Sequence, residues 1–367
     1  MRKKYMIIST LFLVLLSNRN YVNAVKISKD TVITENIKEG IEVIEDCKIT
    51  FKNEKDIHIG SINNLTPGIE IKNGIKLTID VASNSDINIY SGYYEKDENE
   101  YDCAGIHVPI DSTLIINSSS SGCLTVYPFG MGAGIGGNGV FIEKITDDIA
   151  CIDAGSILIK RGNIVIKNPI MSQEYAVGAK IGGGGICNIC DDVEYLFGGN
   201  LKEFKITGGN LTIFSESKVE QDGVGAKIGG GGISNYNCCV TKISGGNAEK
   251  VYIYGGSIDI HNNDELNKGT GAIIGGGGIY NTAIADNIVK GQLFLKENKI
   301  WAKINLLNNE PIYGDGNIYN NGVCINGGSQ VQNIPKGIDE IYNVLVKSII
   351  NAGLICSGIF LIWELVS

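Results

Sequence analysis

Proline is scarce in this 367-residue chain, with 6 residues against 49 glycines, and no strict Gly-X-Y period occurs, which excludes a collagen triple helix. Histidine is scarcer still: His58, His107 and His261 share no metal-ligand or catalytic-triad spacing. Arginine nearly disappears once an N-terminal leader is set aside. Only Arg161 is left, so two-point guanidinium grips on phosphate or carboxylate are nearly unavailable. Helix start and stop signals are almost missing as well. What is present, 43% hydrophobic and 19% charged residues, suits a folded chain rather than a disordered one.

Residues 1–24 read as a secretory leader. Arg2, Lys3 and Lys4 form its basic start, Met6 to Leu16 its apolar stretch, and Val22, Asn23 and Ala24 a small-residue cleavage site. The mature chain is then expected to begin at Val25, in a secreted or cell-surface location. The whole chain carries a formal charge of −9. The leader removes the four basic residues Arg2, Lys3, Lys4 and Arg19 and no acidic one, which deepens that charge to −13. Nucleic acid is not an expected partner of such a surface.

The glycines are organised. GAGIGG begins at Gly132, GAKIGGGG at Gly178 and again at Gly225, and GAIIGGGG at Gly271, so the successive offsets are 46, 47 and 46 residues. A second signature keeps the same register: RGNIVI around Gly162, GGNLTI around Gly209 and GGSIDI around Gly256, each 47 residues apart. Stacked supersecondary units require this regularity, and independent glycine loops would not maintain it. Short alternating stretches such as Asn163 to Ile166 and Asn210 to Phe214 read as strands with one buried face.

The expected fold is therefore all-β, a right-handed parallel β-helix or solenoid of glycine-rich repeats. At 20 to 25 residues per coil, roughly, each repeat would supply about two coils. Glycine would sit where the backbone bends with positive φ or where coils approach too closely for a Cβ. The expected organisation is a leader at 1–24, a β-rich capping part of the solenoid at 25–130, the repeat solenoid at 131–335, and a hydrophobic segment at 336–367. That last segment contains the apolar run Ile349 to Trp363, which reads either as a cap on the core or as a membrane anchor. Ala104 to Pro109 (AGIHVP) looks like a degenerate block, although Ala104 precedes Ala133 by only 29 residues.

The blocks and the strands that follow them resemble a group of secreted bacterial repeat proteins described as carbohydrate-binding-domain or adhesin-like surface proteins. The resemblance covers roughly Ala104 to Gly278. It implies an exported binding protein with a glycan or cell-surface ligand, and it carries over no catalytic residue.

The chemistry of individual motifs narrows the choice. GAKIGGGG lacks the Gly-Lys-Ser/Thr ending of a phosphate loop, so its glycines read as turns. Cys187 and Cys190, with Cys238 and Cys239 at a nearly equivalent repeat position, read as disulfides or a thiol cluster rather than as a zinc site. No metal and no cofactor are expected. The acidic pairs Asp147-Asp148 and Asp191-Asp192 are the nearest candidates for a hydrolase, and also what a solvated loop looks like. Tyr90, Tyr93, Tyr94, Tyr195, Tyr236 and Tyr280 lie in variable stretches and could converge on one face to stack on sugar rings. Three readings stay open at this point: a non-catalytic binding protein, carbohydrate-binding or adhesin-like; a polysaccharide lyase or hydrolase; and a structural envelope protein.

Overall fold

Isoleucine, valine and leucine alternate with polar residues along most of the chain, and that period of two sets the strands. In Lys76–Val81, Leu77, Ile79 and Val81 turn inward while Lys76, Thr78 and Asp80 turn out. Asn210–Ser215 repeats the pattern with Leu211 and Ile213 inside. The computed structural model describes residues 24–325, apart from 54–55, 120, 145–151, 169–177, 192, 216–223, 237, 263–270, 295–298, 301–303, 307–312, 316 and 321–322. Over those residues the protein is all-β, without helices. The leader up to residue 23 and the segment 336–367 lie outside the described residues.

The strands stack in mostly parallel sheets, an arrangement compatible with a β-helix. Sheet A holds nine strands, among them Ile69–Ile71, Ile106–His107, Ile135–Gly136, Ile181–Gly182, Ile228–Gly229 and Ile274–Gly275. Sheet B includes Thr113–Asn117, Ala154–Arg161, Leu201–Ile206 and Val251–Ile253; sheet C includes Asp86–Tyr90, Cys123–Tyr127, Asn163–Ile166, Asn210–Ser215 and Ser257–Asn262. Sheet D contains Gly139–Ile142, Ile186–Asn188, Ile233–Asn235 and Ile279–Asn281. Sheet E has three strands, Tyr195–Phe197, Val240–Ser244 and Ala285–Val289.

Register follows the repeat. Ile135 pairs with Ile181, Ile181 with Ile228 and Ile228 with Ile274, and all four side chains are fully buried. Each such isoleucine stabilises the stack by roughly 1.5–3 kcal/mol relative to an exposed one. Because residues one repeat apart are direct neighbours, each repeat supplies one layer, not the two coils that residue counting suggests. The extra length has a place. Where Ile181 opens a layer, the chain visits sheets A, D, E, B and C in turn, while the layer opened by Ile106 visits only A, B and C. Ile106 accordingly pairs with Ile135 at the shorter offset, so the AGIHVP stretch is a true member of the column.

Two cores result. The larger lies within sheets A, B and C and is built from columns of isoleucine, leucine and valine. A second core, with Val140, Ile186, Leu196, Ile233, Ile243 and Ile279, joins sheets D and E. Between them runs a glycine seam. The Gly199 N–H donates to Gly184 O at 3.2 Å, Gly231 N–H to Gly199 O at 2.8 Å, Gly246 N–H to Gly231 O at 3.1 Å, and Gly277 N–H to Gly246 O at 2.9 Å. A Cβ at Gly231 would land on the Gly184 carbonyl, so side chains are excluded from the seam. The first glycine after the block isoleucine has a different reason: Gly182 and Gly229 hold φ of +136° and +148°, and a Cβ on Gly182 would meet the Gly229 oxygen.

Sheet D closes with antiparallel pairs at both ends, Tyr93–Lys96 with Asn99–Asp102 at one and Ile318–Asn320 with Val323–Ile325 at the other. The first hairpin turns through Asp97 and Glu98, both at positive φ, as a two-residue turn between twisted strands requires.

Candidate ligand-binding surface

In-register stacking turns each position of the repeat into a column of side chains along the molecule, one per layer. Some columns are polar ladders. Asn188 Nδ2 donates to Asn235 Oδ1 at 2.8 Å, Asn235 Nδ2 to Asn281 Oδ1 at 2.6 Å, and Asn281 Nδ2 to Asn320 Oδ1 at 2.8 Å. Asn188, Asn235 and Asn281 are fully buried, so each amide depends on its neighbours. A second ladder runs from Asp153 through Asn200 and Asn247 to the Gln292 N–H, and a third joins Asn163, Asn210 and Ser257. The first and second hold layers together and leave little for a ligand. None was foreseen in the sequence, although Asn188, Asn235 and Asn281 keep the 47- and 46-residue spacing of the glycine blocks.

The six tyrosines do not converge on one face. Tyr90 stacks on Tyr127 in sheet C, with ring centroids 4.7 Å apart, and His58 covers its other side at 5.9 Å. Tyr93 stacks on Phe129 and Tyr94 on Tyr101, at the capped end of sheet D. Tyr236 and Tyr280 meet at 5.8 Å beside sheet D, where Tyr280 is only 6% exposed. Most of these rings have their faces covered by each other. Tyr195 differs: it lies on sheet E at 50% exposure, two residues before Phe197 at 49%. Their centroids are 6.3 Å apart with planes inclined by 12°, and Lys242 Nζ stands 5.5 Å from the centre of the Phe197 ring.

Sheet B repeats that arrangement with residues the sequence reading passed over. Tyr252 and Tyr254 have centroids 5.8 Å apart and planes inclined by 13°, and Lys205 Nζ lies 5.4 Å from the Tyr254 ring centre. In both places the lysine is the register partner of the first aromatic residue, Lys242 of Tyr195 and Lys205 of Tyr252, and reaches diagonally to the second ring. An aromatic residue at i and i+2 facing a lysine one repeat away is the signal that would have found both.

Cys187, Cys190 and Cys238 are buried and Cys239 is exposed, and no disulfide occurs among the described residues. Cys238 Sγ donates to Tyr236 O at 2.9 Å, while burial, helped by the charge of Asp191, pushes its pKa up to about 11. The histidines serve three separate places: His58 stacks on Tyr90, His261 on Phe214, and His107 Nδ1 meets both Glu70 carboxylate oxygens at 3.0 and 2.9 Å. No group of three or more His, Cys, Asp or Glu that could hold a metal occurs among the described residues. Asp147, Asp148 and Asp192 lie outside them.

One carboxyl has an unusual environment. Asp102 Oδ2 accepts the Met131 N–H at 2.7 Å, and burial raises its pKa to about 7 against the ordinary 3.8, with nearby Glu100 adding to the rise. It closes the Gly130 turn, where a Cβ would collide with its carboxylate. No protein-family model, curated protein or solved structure matches the chain.

Proposed function

We propose that this chain is an exported, non-catalytic carbohydrate-binding protein of the cell surface, built as a parallel β-helix with a second column of strands along its side. The regular order of sheets in successive layers supports the helix. The basic and apolar residues at the start of the sequence support export. Carbohydrate binding rests on a single observation: Tyr195 and Phe197 stand about half exposed, with stacked rings, on the outer face of sheet E. Large rings exposed as a pair are the apolar surface on which the C–H face of a sugar packs, and Ser244 and Asn287 on the adjoining strands supply groups for hydroxyls.

A glycan array probed with the full chain tests this reading, paired with a Tyr195→Ala/Phe197→Ala double variant checked for an unchanged far-ultraviolet spectrum. Binding by the parent and at least tenfold weaker binding by the variant is expected, a loss that corresponds to about 1.4 kcal/mol or more. Binding that survives both substitutions would remove the surface from consideration.

A further inference from the structure

The two lysine–aromatic arrangements differ in their surroundings, and the difference concerns charge. On sheet B the strand before Lys205 carries Lys160 and Arg161, both exposed, at its outer end. Ile159 pairs with Ile206, so Lys160 lies beside the exposed Thr207, which in turn adjoins Tyr254 on the next strand. Lys205, Lys160, Thr207, Tyr252 and Tyr254 thus form one compact outward patch over three strands. Lys205 turns its ammonium to the Tyr254 ring, and Arg161 donates to Asn117 Oδ1 at 3.0 Å; neither contact is to a carboxylate. Glu203, one row away, is followed on the neighbouring strand by Lys250. Such a concentration of cations is unexpected on a chain with a formal charge of −9.

We infer that this patch binds acidic glycans, polysaccharides whose sugar rings carry carboxylates, such as uronic acids. The inference rests on the carbohydrate-binding reading above and adds a ligand class and a second surface to it. A uronic acid ring offers an apolar C–H face to Tyr252 and Tyr254 and a carboxylate to Lys205 and Lys160, while the Thr207 hydroxyl, which donates to the Ile159 carbonyl at 3.5 Å, can accept from a ring hydroxyl. Lysine, a point charge on a flexible stem, suits a carboxylate whose orientation varies along a polymer better than a fixed guanidinium fork does. Neutral glycans would meet the aromatic rings and leave the charges without a partner.

The test uses polygalacturonate and the same polymer with its carboxyls reduced to alcohols, titrated calorimetrically into the full chain and into two variants, Lys160→Gln/Lys205→Gln and Tyr252→Ala/Tyr254→Ala. The parent should bind polygalacturonate at least tenfold more tightly than the reduced polymer, with affinity falling as salt is raised. The lysine variant should lose about tenfold on polygalacturonate and nothing on the reduced polymer, and the tyrosine variant should weaken on both. Equal affinity for the two polymers, or an unaltered lysine variant, would overturn the acidic preference while leaving glycan binding in place. Failure of the parent to bind either polymer overturns this inference, and only silence across the wider glycan array would overturn the carbohydrate reading itself.

Discussion

Asn188 donates its side-chain amide to Asn235 Oδ1 across 2.8 Å, although the two residues are 47 apart in the chain. The same amide also reaches the Cys190 carbonyl at 3.2 Å, and Asn235 repeats both contacts with Asn281 and the Cys238 carbonyl. Each rung therefore ties a strand to the next layer and to the loop that follows it.

Replacing the middle rung should be costly. Asn235→Ala strands one Asn188 amide hydrogen and takes the Asn235 donor from the Cys238 carbonyl, each at about 1–3 kcal/mol, while Asn281 Oδ1 keeps the Ala283 N–H; a loss of roughly 2–5 kcal/mol is expected from urea unfolding. A change under about half a kcal/mol would show that water can replace the ladder.

Glycine positions should separate into two classes. Gly74 has φ +79° with open space where a Cβ would stand, so Gly74→Ala should cost about 1–2 kcal/mol from backbone conformation alone. At Gly229 the φ of +148° is joined by the Gly275 carbonyl in the path of the Cβ, and Gly229→Ala should prevent folding or displace two layers. Similar soluble yields and melting temperatures for both variants would contradict this account.

Stability should depend on pH through Asp102. Its native pKa of about 7 lies above the ordinary 3.8, so between those values the folded state binds more protons than the unfolded one. Its contribution is fully present below about pH 4, is lost as pH rises towards 7, and stays lost above, with a ceiling of a few kcal/mol. Asp102→Asn keeps an acceptor for the Met131 N–H and carries no charge. The variant should match the parent near pH 4 and exceed it in urea midpoint near pH 8; identical midpoints at both would refute the assignment.

Thiol labelling should distinguish neighbours in sequence. Exposed Cys239 should react quickly with an aromatic disulfide reagent at about pH 8, while Cys238, buried and with a pKa pushed up to about 11, should react only on unfolding. Cys239→Ser should lower the fast phase by one thiol equivalent and Cys238→Ser should leave it unchanged.

The stack was legible because the same apolar residue recurs at each layer: Ile135, Ile181, Ile228 and Ile274 keep the spacing that their pairing demands. Both expected reasons for glycine occur, positive φ at Gly182 and Gly229 and backbone proximity along the seam from Gly184 to Gly277. The number of layers per repeat was not legible. A residue count fixes how much chain a layer consumes only if the number of sheets is known, and nothing in the strands around Leu196 or Ile243 announces a second core.

Outward residues were harder still. Whether a tyrosine presents a ring face depends on what stands one layer away, as Tyr90 against Tyr127 illustrates, and that partner is set by register rather than by local sequence. Tyr195 and Tyr252 face lysines across the layer, Lys242 and Lys205, and stack instead on the ring two residues along their own strand, Phe197 and Tyr254.

The antiparallel pairs at the two ends of sheet D also bear on how copies of this chain behave together. A parallel stack is a template with direction, able in principle to add strand after strand from any chain that offers the right register. The hairpin through Asp97 and Glu98 ends that template with the exposed charges of Glu95 and Lys96, and Val323–Ile325 reverses it at the far end. Along this sheet the described strands break the parallel register at both ends, so a further copy could not simply continue it in the same direction.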